Sequence, residues 1–193
     1  MIQTKTELRE YLEQDRIALY RTGRKRPKLF GDEIWKWQIV YRKYEFYSNT
    51  AAQSAAAKIL RRIYQLRYHR ASVRLGFSIP INVFGPGLSI AHYGSIVVNK
   101  NARVGKNCRI QENVTIGATS GQNEAPVMGD NIFLGSGARV IGDIRIGSDT
   151  AVGANAVVVR SFPEGGVTLG GVPARVISGN SSRSNLNREL FDK

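Results

Sequence analysis

The sequence predicts a mainly β protein, a parallel β-helix solenoid that follows an α-helical N-terminal part. The first observation behind this prediction is an apolar residue that recurs every six positions, with a smaller or apolar partner two positions before most of them. The recurring positions are Val98, Val104, Ile110, Ile116, Gln122, Met128, Leu134, Val140, Ile146, Val152 and Val158, of which only Gln122 is polar. An inward, outward, inward alternation this short and this regular indicates brief strands stacked in successive coils.

The second observation concerns the residues three positions after these apolar residues in every complete repeat outside the interruption at 117–127. They are Asn101, Asn107, Asn113, Asn131, Gly137, Asp143, Asp149 and Asn155. Asparagine, aspartate and glycine tolerate a left-handed backbone, so we expect a left-handed bend at each of these positions. A chain that keeps bending by the same angle stacks on itself and buries one apolar stripe per face.

Residues 1–75 carry apolar residues at helical spacing and are predicted to form a helical cap on the first coil. Three helices are expected, over 5–20, 34–47 and 51–74. The second is rich in aromatic and basic residues, a pattern more typical of a seam between helices than of a nucleic-acid or membrane contact. The third offers a set of apolar residues for burial: Ile59, Leu60, Ile63, Leu66 and Val73.

The remaining chain divides into two parts by composition. Residues 76–177 are predicted to form the solenoid, from which the Gly-, Ser- and Asn-containing stretch 117–127 protrudes as a loop. Residues 178–193 are predicted to form a loose polar tail that regains a helix near its end.

Charge and composition limit the partners and the location. The 193 residues carry a formal charge of +13, and residues 1–75 hold 17 of the 28 lysines and arginines but 7 of the 15 acids. Such a balance attracts coenzyme A, nucleic acid, anionic lipid and acidic glycans alike, but the sequence contains no recognisable nucleic-acid module, so we expect no nucleic-acid partner. Without a spanning apolar run or a secretory signal, we expect a cytoplasmic protein. Cys108 falls on a small inward position and is expected to be packed in the core.

Three segments resemble a known family: 91–98 (AHYGSIVV), 114–119 (VTIGAT) and 170–175 (GGVPAR). Together with the six-residue period, they resemble hexapeptide-repeat acyltransferases of the serine acetyltransferase type, and most of all the short relatives linked to surface-polysaccharide synthesis. The resemblance implies a left-handed parallel β-helix, a triangular prism with three six-residue faces per coil. It also implies a homotrimer that binds acetyl-CoA between adjacent solenoids, with a dimer of trimers formed through the cap as a further possibility.

The resemblance assigns roles to particular residues. His92 aligns with the catalytic histidine, which takes the proton from an acceptor hydroxyl as that oxygen attacks the thioester of acetyl-CoA. A backbone N–H near Gly117 or Ala118 would stabilise the oxyanion, and positions matching Ser136 and Ala154 contact the coenzyme. If a coil takes 18 residues, then Ala118, Ser136 and Ala154 also stack at one corner and offer a groove without bulky side chains, although corners could simply prefer small residues.

Two arginines and several departures from the family complete the site prediction. Arg160 and Arg175 are candidate partners for coenzyme phosphates. The aspartate that orients the catalytic histidine is matched by Phe77, the acid before that histidine by Ala91, and the Arg-His pair of the loop by Glu124-Ala125. Because those groups handle the amino acid in the family, we expect a saccharide hydroxyl as acceptor, with L-serine as the alternative. Glu112 or a backbone carbonyl could replace the missing aspartate as the group that orients His92.

Two other classes of protein remain as alternatives. Some left-handed β-helix trimers hold zinc with three histidines, but this chain contains only His69 and His92, so no metal site is predicted. The chain could also be a non-catalytic scaffold whose basic cap contacts membrane or nucleic acid. In either case the basic cap could make a peripheral contact with an anionic membrane or glycan. Steep salt dependence of such binding without affinity for coenzyme A would favour the scaffold.

Overall fold

The structure is a computed structural model that describes residues 1–121 and 123–192, and it begins with three α-helices: α1 (Lys5–Ala18), α2 (Glu33–Asn49) and α3 (Ala55–Leu75). Thr4 and Glu7 form a reciprocal capping box at the start of α1. Ser54 accepts a hydrogen bond from the Ala57 amide at the start of α3, and Gly76 ends that helix in the left-handed conformation. A 3-10 turn, Ala51–Gln53, separates α2 from α3.

The rest of the chain winds into a solenoid with three faces, which it visits in the order A, B, C. Face A contains β1 (Phe77–Ser78), β3 (Ile96–Val98), β6 (Thr115–Gly117), β9 (Arg139–Ile141) and β12 (Val157–Val158). Face B contains β4 (Arg103–Val104), β7 (Val127–Met128) and β10 (Arg145–Ile146). Face C contains β2 (Ser89–Ile90), β5 (Arg109–Ile110), β8 (Phe133–Leu134), β11 (Ala151–Val152), β13 (Thr168–Gly171) and β14 (Ala174–Ser178). All pairings are parallel except that of β13 with β14, which ends the solenoid.

The apolar period forms the core, as predicted. Except for Gln122, which lies outside the described residues, every recurring apolar position is buried, and so are the smaller partners two positions earlier. Cys108 is among these partners, and burial raises the pKa of its thiol. The mainly β solenoid behind N-terminal helices is therefore confirmed, and Cys108 is a packing residue.

One coil is longer than the others. Val97 lies opposite Thr115, and Arg139 lies opposite Val157, so these coils take eighteen residues. Thr115, however, lies opposite Arg139, twenty-four residues on. The extra six residues fall in the loop between β6 and β7, and because they equal one repeat unit, the apolar period resumes in phase at Met128.

The three corners of the prism are not alike. The corner between faces B and C and the corner between faces C and A turn through left-handed residues, as predicted: Asn107, Asn113, Asn131, Gly137, Asp149 and Asn155. The prediction is wrong at the corner between faces A and B, where Asn101 and Asp143 do not adopt positive φ. At Asn101 the side chain of Asn99 accepts the Asn101 amide and holds a different turn, and near Asp143 the positive φ belongs to Gly142. The corner between faces C and A carries His92 and is called the histidine corner. The corner between faces A and B carries the loop 117–127 and is called the loop corner.

An aromatic seam joins the cap to the solenoid. Trp37 of α2 stacks on Tyr41 at 5.0 Å between ring centroids and meets Phe77 edge-on at 5.1 Å. The Trp37 indole donates to the Ser72 hydroxyl of α3 at 2.8 Å, so its polar group is satisfied inside the seam. The predicted role of the aromatic residues of α2 as a helix seam is confirmed.

The expected burial of α3 through its aliphatic residues is wrong. Of the five residues expected to be buried, Leu60 is half-buried, and Ile59, Ile63, Leu66 and Val73 are exposed. The face of α3 that meets α2 carries aromatic residues instead, with Tyr64 stacked on Tyr47 and Tyr68 beside Tyr44. Helical spacing correctly indicated an apolar face, but the aromatic face opposite to it is the one that is packed.

A buried ionic cluster also ties the cap to the first coil. Arg42 of α2 is fully buried and binds Asp15 of α1 through Nε (2.8 Å) and Glu45 through Nη1 (2.9 Å). Its guanidinium also donates to the carbonyls of Phe84 and Gly85 at the solenoid entry. Burial alone would lower the pKa of Arg42, but Asp15 and Glu45 outweigh that effect and hold it well above its usual range.

The C-terminal segment is not the loose tail that the sequence predicted. It forms two 3-10 turns, Ser182–Asn185 and Arg188–Leu190, with Ser182 and Leu186 buried. Asn187 donates from its side chain to the Ile17 carbonyl of α1 at 2.6 Å. The segment is polar because it binds through hydrogen bonds, and it connects the last coil back to the cap.

Candidate functional site

His92 lies on a bulge of the histidine corner. Eight residues separate Ile90 of face C from Val98 of face A, whereas six separate their partners in the next coil, Ile110 and Ile116. The two extra residues shift the phase, so Ile90 takes the inward position and His92 is exposed. By the six-residue period alone His92 would point inward, and the bend at Gly94, with φ 132°, explains why it does not.

A cleft of about 540 Å³ separates this corner from the cap. Its solenoid wall includes His92 and Arg109, and its cap wall includes Tyr20, Asp32 and Glu33. The cleft therefore brings the imidazole together with charged groups of both signs. Sequence reasoning missed the cap wall, because the cap is distant in sequence and shares no period with the solenoid. It also missed Arg109, which the period marks only as an outward residue and which the pairing register places beside Ser89 at the cleft.

The charged groups of the cleft are held in place by neighbours. Arg109 donates to the Ser89 hydroxyl at 2.9 Å and lies over the Tyr20 ring at 5.3 Å from its centroid. Asp32 binds Arg24 at 2.7 Å, and this bond, more than any other contact, holds the pKa of the Asp32 carboxyl below its usual range. A fixed guanidinium and an ionised carboxylate thus line the cleft that contains His92.

Glu112 lies one coil above the bend that carries His92. A Cβ placed on Gly94 would come within 3.2 Å of the Glu112 Cβ, so the two corners are in close contact. The pKa of the Glu112 carboxyl is lowered, first by the Ser136 hydroxyl, then by its own backbone amide, with a further contribution from His92. Its Oε2 atom is shielded from solvent and, within the described residues, has no hydrogen-bond partner. Glu112 therefore has a carboxylate oxygen without a hydrogen-bond partner in the described residues, one coil away from the bend that carries His92.

The structure stacks only two of the three small residues predicted to line a groove. Val152 lies opposite Leu134, which places Ala154 directly above Ser136 on the histidine corner. The residue below Ser136 is Glu112, because the coil between them takes twenty-four residues. The predicted stacking of Ala118 on these two residues is wrong, since the six-residue insertion leaves Ala118 on the loop corner.

The predicted site residues thus divide between two corners of the prism. His92, Ser136 and Ala154 lie along the histidine corner, and Arg175 lies near its end, opposite Gly170. On the loop corner are Gly117, whose carbonyl accepts the Gly142 amide at 2.9 Å, Ala118, and Arg160, which lies over the Phe162 ring. Face A separates the two groups, so one chain does not bring them together.

The positions that depart from the family have other uses here. Phe77 is buried against Trp37 in the cap seam, and Ala125 is buried in the solenoid core where the loop returns. Both side chains stabilise the fold and neither faces the cleft. Ala91 does line the cleft beside His92, but it offers no charge. In the part of the chain that the structure describes, no three His, Cys, Asp or Glu side chains are grouped to hold a metal ion.

Comparison with known proteins finds serine acetyltransferases among the proteins that are similar to this chain. The chain is 40% identical over 100 residues to the serine acetyltransferase of Mycobacterium tuberculosis, which covers 51% of this chain and 43% of that protein. It is 31% identical over 132 residues to that of Buchnera aphidicola, 65% of this chain and 49% of that protein. The matched segments thus span less than half the length of these two relatives. No protein-family model matches the chain.

Solved structures give the same result. The serine acetyltransferase of Brucella abortus superposes with a TM-score of 0.71 at 26% identity, over 92% of this chain and 72% of that one. That of Neisseria gonorrhoeae in complex with serine superposes with a TM-score of 0.66 at 24% identity, over 90% and 70%. A second Brucella abortus structure, in complex with coenzyme A, superposes with a TM-score of 0.72 at 24% identity, over 92% and 70%. The resemblance to serine acetyltransferases and the left-handed parallel β-helix are confirmed. A closer likeness to the polysaccharide-linked relatives is not shown by these matches.

Proposed function

We propose that this chain is an O-acetyltransferase of the serine acetyltransferase type that takes its acetyl group from acetyl-CoA. The observation that carries the proposal is His92, which the bulge of the histidine corner exposes in a cleft on a fold shared with serine acetyltransferases. The similarity to relatives that carry this name supports the same reaction. Acetyl-CoA supplies the activated acyl group, and the chain's own residues bind, orient and move the proton.

His92 acts as the general base. A hydroxyl is a poor nucleophile at neutral pH, and an imidazole that removes its proton contributes roughly 10²–10⁴ to the rate. The acceptor oxygen then forms its bond to the carbonyl carbon of the thioester, the carbon–sulfur bond breaks, and the departing sulfur takes the proton from His92. The chemistry needs no covalent acetyl-enzyme.

Glu112 orients His92 in place of the missing aspartate. Support comes from its free, shielded Oε2 atom and from the influence of His92 on its pKa. An ionised carboxylate next to the imidazole stabilises the imidazolium that forms during proton transfer. Phe77, which occupies the family position of the orienting acid, is buried in the seam and cannot do this.

The histidine corner fits the pantetheine arm of the coenzyme. Ser136 is half-buried and Ala154 exposed, so no bulky side chain covers the backbone at this edge. Beyond Ala154 the column continues with Gly171, because Val152 lies opposite Leu169. Arg175 near the end of this corner and Arg160 on the loop corner are candidates to bind the coenzyme phosphates.

Of the two acceptors that the sequence left open, L-serine is the better supported. The comparisons name serine acetyltransferases and give no support to a saccharide acceptor. The cleft also suits a zwitterion, because Arg109 offers a guanidinium for a carboxylate, and Glu33, whose Oε1 also pairs with Lys36 at 3.0 Å, offers a carboxylate for an ammonium group. These charges come from positions other than the family's lost acid and Arg-His pair.

Turnover with L-serine and with a panel of sugars and glycan fragments tests the acceptor, with thiol release as the readout. We expect turnover on L-serine, and we expect Arg109→Gln to raise KM for L-serine at least ten-fold while leaving KM for acetyl-CoA unchanged. Arg103→Gln, on face B away from the cleft, is the matched control. Turnover on a saccharide that Arg109→Gln leaves unaffected would refute L-serine as the acceptor and would favour the prediction of a saccharide acceptor.

The division of the site over two corners supports an active site shared between neighbouring chains of a homotrimer. The histidine corner of one chain would face the loop corner of the next, so that Gly117 and Ala118 supply the backbone N–H groups for the oxyanion. Mixing His92→Ala chains with Ala118→Trp chains tests this arrangement. Each variant alone should be inactive, and mixed oligomers should regain part of the activity, because some interfaces combine two intact corners. No recovery after verified subunit exchange would contradict a shared site.

A further inference from the structure

The outer face of α3 carries an exposed apolar ridge. Ile59, Ile63, Leu66 and Val73 are 62, 45, 60 and 70% exposed. Their separations of four, three and seven residues place them on one line along the helix. The opposite face of α3 is packed against α2 through its tyrosines, so the ridge points away from the molecule.

Positive charge borders this ridge on both sides. At 100° per residue, Lys58 and Arg62 lie along one side and Arg67 and Arg74 along the other, while Arg70 interrupts the line itself. The sequence of α3 contains no acidic residue. The helix therefore presents apolar side chains flanked by cations along its whole exposed length.

The loop before α2 extends the same surface. Leu29 and Phe30 are 82 and 86% exposed and follow a basic run. Lys36 of α2 donates to the Leu29 carbonyl at 2.7 Å, and it lines a groove of about 320 Å³ with Arg67, Arg70 and Arg74. The loop thus lies near the N-terminal end of α2, which faces the C-terminal end of α3, and the groove between these two helices is lined by four cations and one acid, Glu33, which pairs with Lys36 at 3.0 Å.

We propose that this surface, the α3 ridge together with Leu29 and Phe30, binds an anionic phospholipid bilayer. Apolar residues flanked by Lys and Arg suit a helix that lies in the plane of a membrane interface, with the cations at the head groups. The structure describes no helix long and apolar enough to cross a membrane, so the contact is peripheral.

A second copy of this chain and nucleic acid fit this surface less well than an anionic bilayer does. A second copy of α3 would bring two wholly basic helices together without a single acid to pair them. Nucleic acid would satisfy the cations but would leave the aliphatic ridge in water. This inference does not depend on the proposed acetyl transfer.

Sedimentation of the full chain with vesicles tests the proposal. We expect binding to phosphatidylglycerol vesicles and none to phosphatidylcholine vesicles. Arg67→Gln with Arg74→Gln should weaken binding roughly thirty-fold, since each basic residue near an anionic bilayer strengthens it roughly five-fold. Ile63→Asn with Leu66→Asn should remove the binding that persists at high salt, which the apolar ridge supplies.

The matched control is Lys5→Gln with Arg9→Gln, which removes the same charge from exposed positions of α1. It should change binding less than two-fold, and circular dichroism checks that all variants stay folded. An equal loss of vesicle binding in the control would show that binding depends only on the net charge of the chain, and it would overturn the proposal. So would the absence of binding to phosphatidylglycerol, salt-sensitive binding to an oligonucleotide in its place, or a change of oligomer size by light scattering in the ridge variant without an effect on vesicles.

Discussion

Replacing Arg42 with methionine tests how the cap is fixed to the solenoid. The substitution keeps much of the apolar volume but removes the charge that joins α1, α2 and the solenoid entry. It leaves two carboxylates, Asp15 and Glu45, in a site where both are almost fully buried. Breaking a buried ion pair from one side in this way destabilises a protein by about 3–5 kcal/mol.

The remaining contacts keep the loss within that range. Asp15 still accepts the amides of Gly87 and Leu88 at 2.9 and 2.8 Å, and Glu45 still accepts the Asn82 amide at 2.6 Å. Neither carboxylate is left without partners. For a chain of this size, about 4 kcal/mol corresponds to a fall of roughly 8–16 °C in melting temperature.

Thermal unfolding at one fixed protein concentration measures the effect. The control is Arg183→Met, which breaks an ion pair of similar length, 2.7 Å to Asp149, but with more than half of the arginine side chain exposed. That variant should lose less than about 1 kcal/mol. If Arg42→Met cost no more than Arg183→Met, the buried cluster would not be what anchors the cap.

Three further outcomes follow from the site and from the ionised carboxylates. Glu112→Gln should lower kcat about ten-fold with KM for acetyl-CoA unchanged, because the substitution removes the orienting charge but no group that binds the coenzyme. Glu112→Asp should restore part of the activity. If Glu112→Gln lost thermal stability in step with activity, the role of Glu112 would be structural. Ser136→Trp should weaken coenzyme A binding at least ten-fold by calorimetry, since it fills the groove on the histidine corner; unchanged affinity would place the coenzyme elsewhere. The melting temperature should stay level from about pH 7 to pH 5 and fall below about pH 4. The reason is the pKa of Asp32, which Arg24 lowers in the folded chain. The stability that this pair contributes is present above the pKa of Asp32 in the unfolded chain and is lost as the pH falls through its pKa in the folded chain. Asp32→Asn should make that fall shallower, and an unchanged slope would exclude this pair as a cause.

The sequence predicted the solenoid well because its period is local. Each six-residue unit contains its own inward residues and its own turn, so the pattern needs no knowledge of distant contacts. Phase is the weak point of such a pattern. Two extra residues at the bulge of the histidine corner turn His92 outward, and six extra in the loop move Ala118 away from Ser136. Neither insertion can be placed without the pairing register.

The cap and the cleft depend on contacts that no local pattern encodes. Helical spacing on α3 showed that an apolar face exists, but Leu66 on that face is exposed because the aromatic face provides the packing. The cleft is completed by Glu33 from the cap and Arg109 from the solenoid, which are far apart in sequence. Phe77 occupies the position of the family's orienting aspartate, a difference that the sequence shows but does not explain. The structure explains it, because Phe77 packs against Trp37 in the aromatic seam.

The role of His92 is tested most directly by the activity of His92→Ala with acetyl-CoA and L-serine, measured as released thiol beside the affinity of the variant for coenzyme A. We expect a fall in kcat of roughly 10²–10⁴ with coenzyme affinity and melting temperature unchanged, because His92 moves a proton and supports neither the fold nor the coenzyme site. Full activity in the variant, or an unaltered rate on every acceptor that the wild-type chain uses, would show that His92 is not the base and would contradict the proposed mechanism.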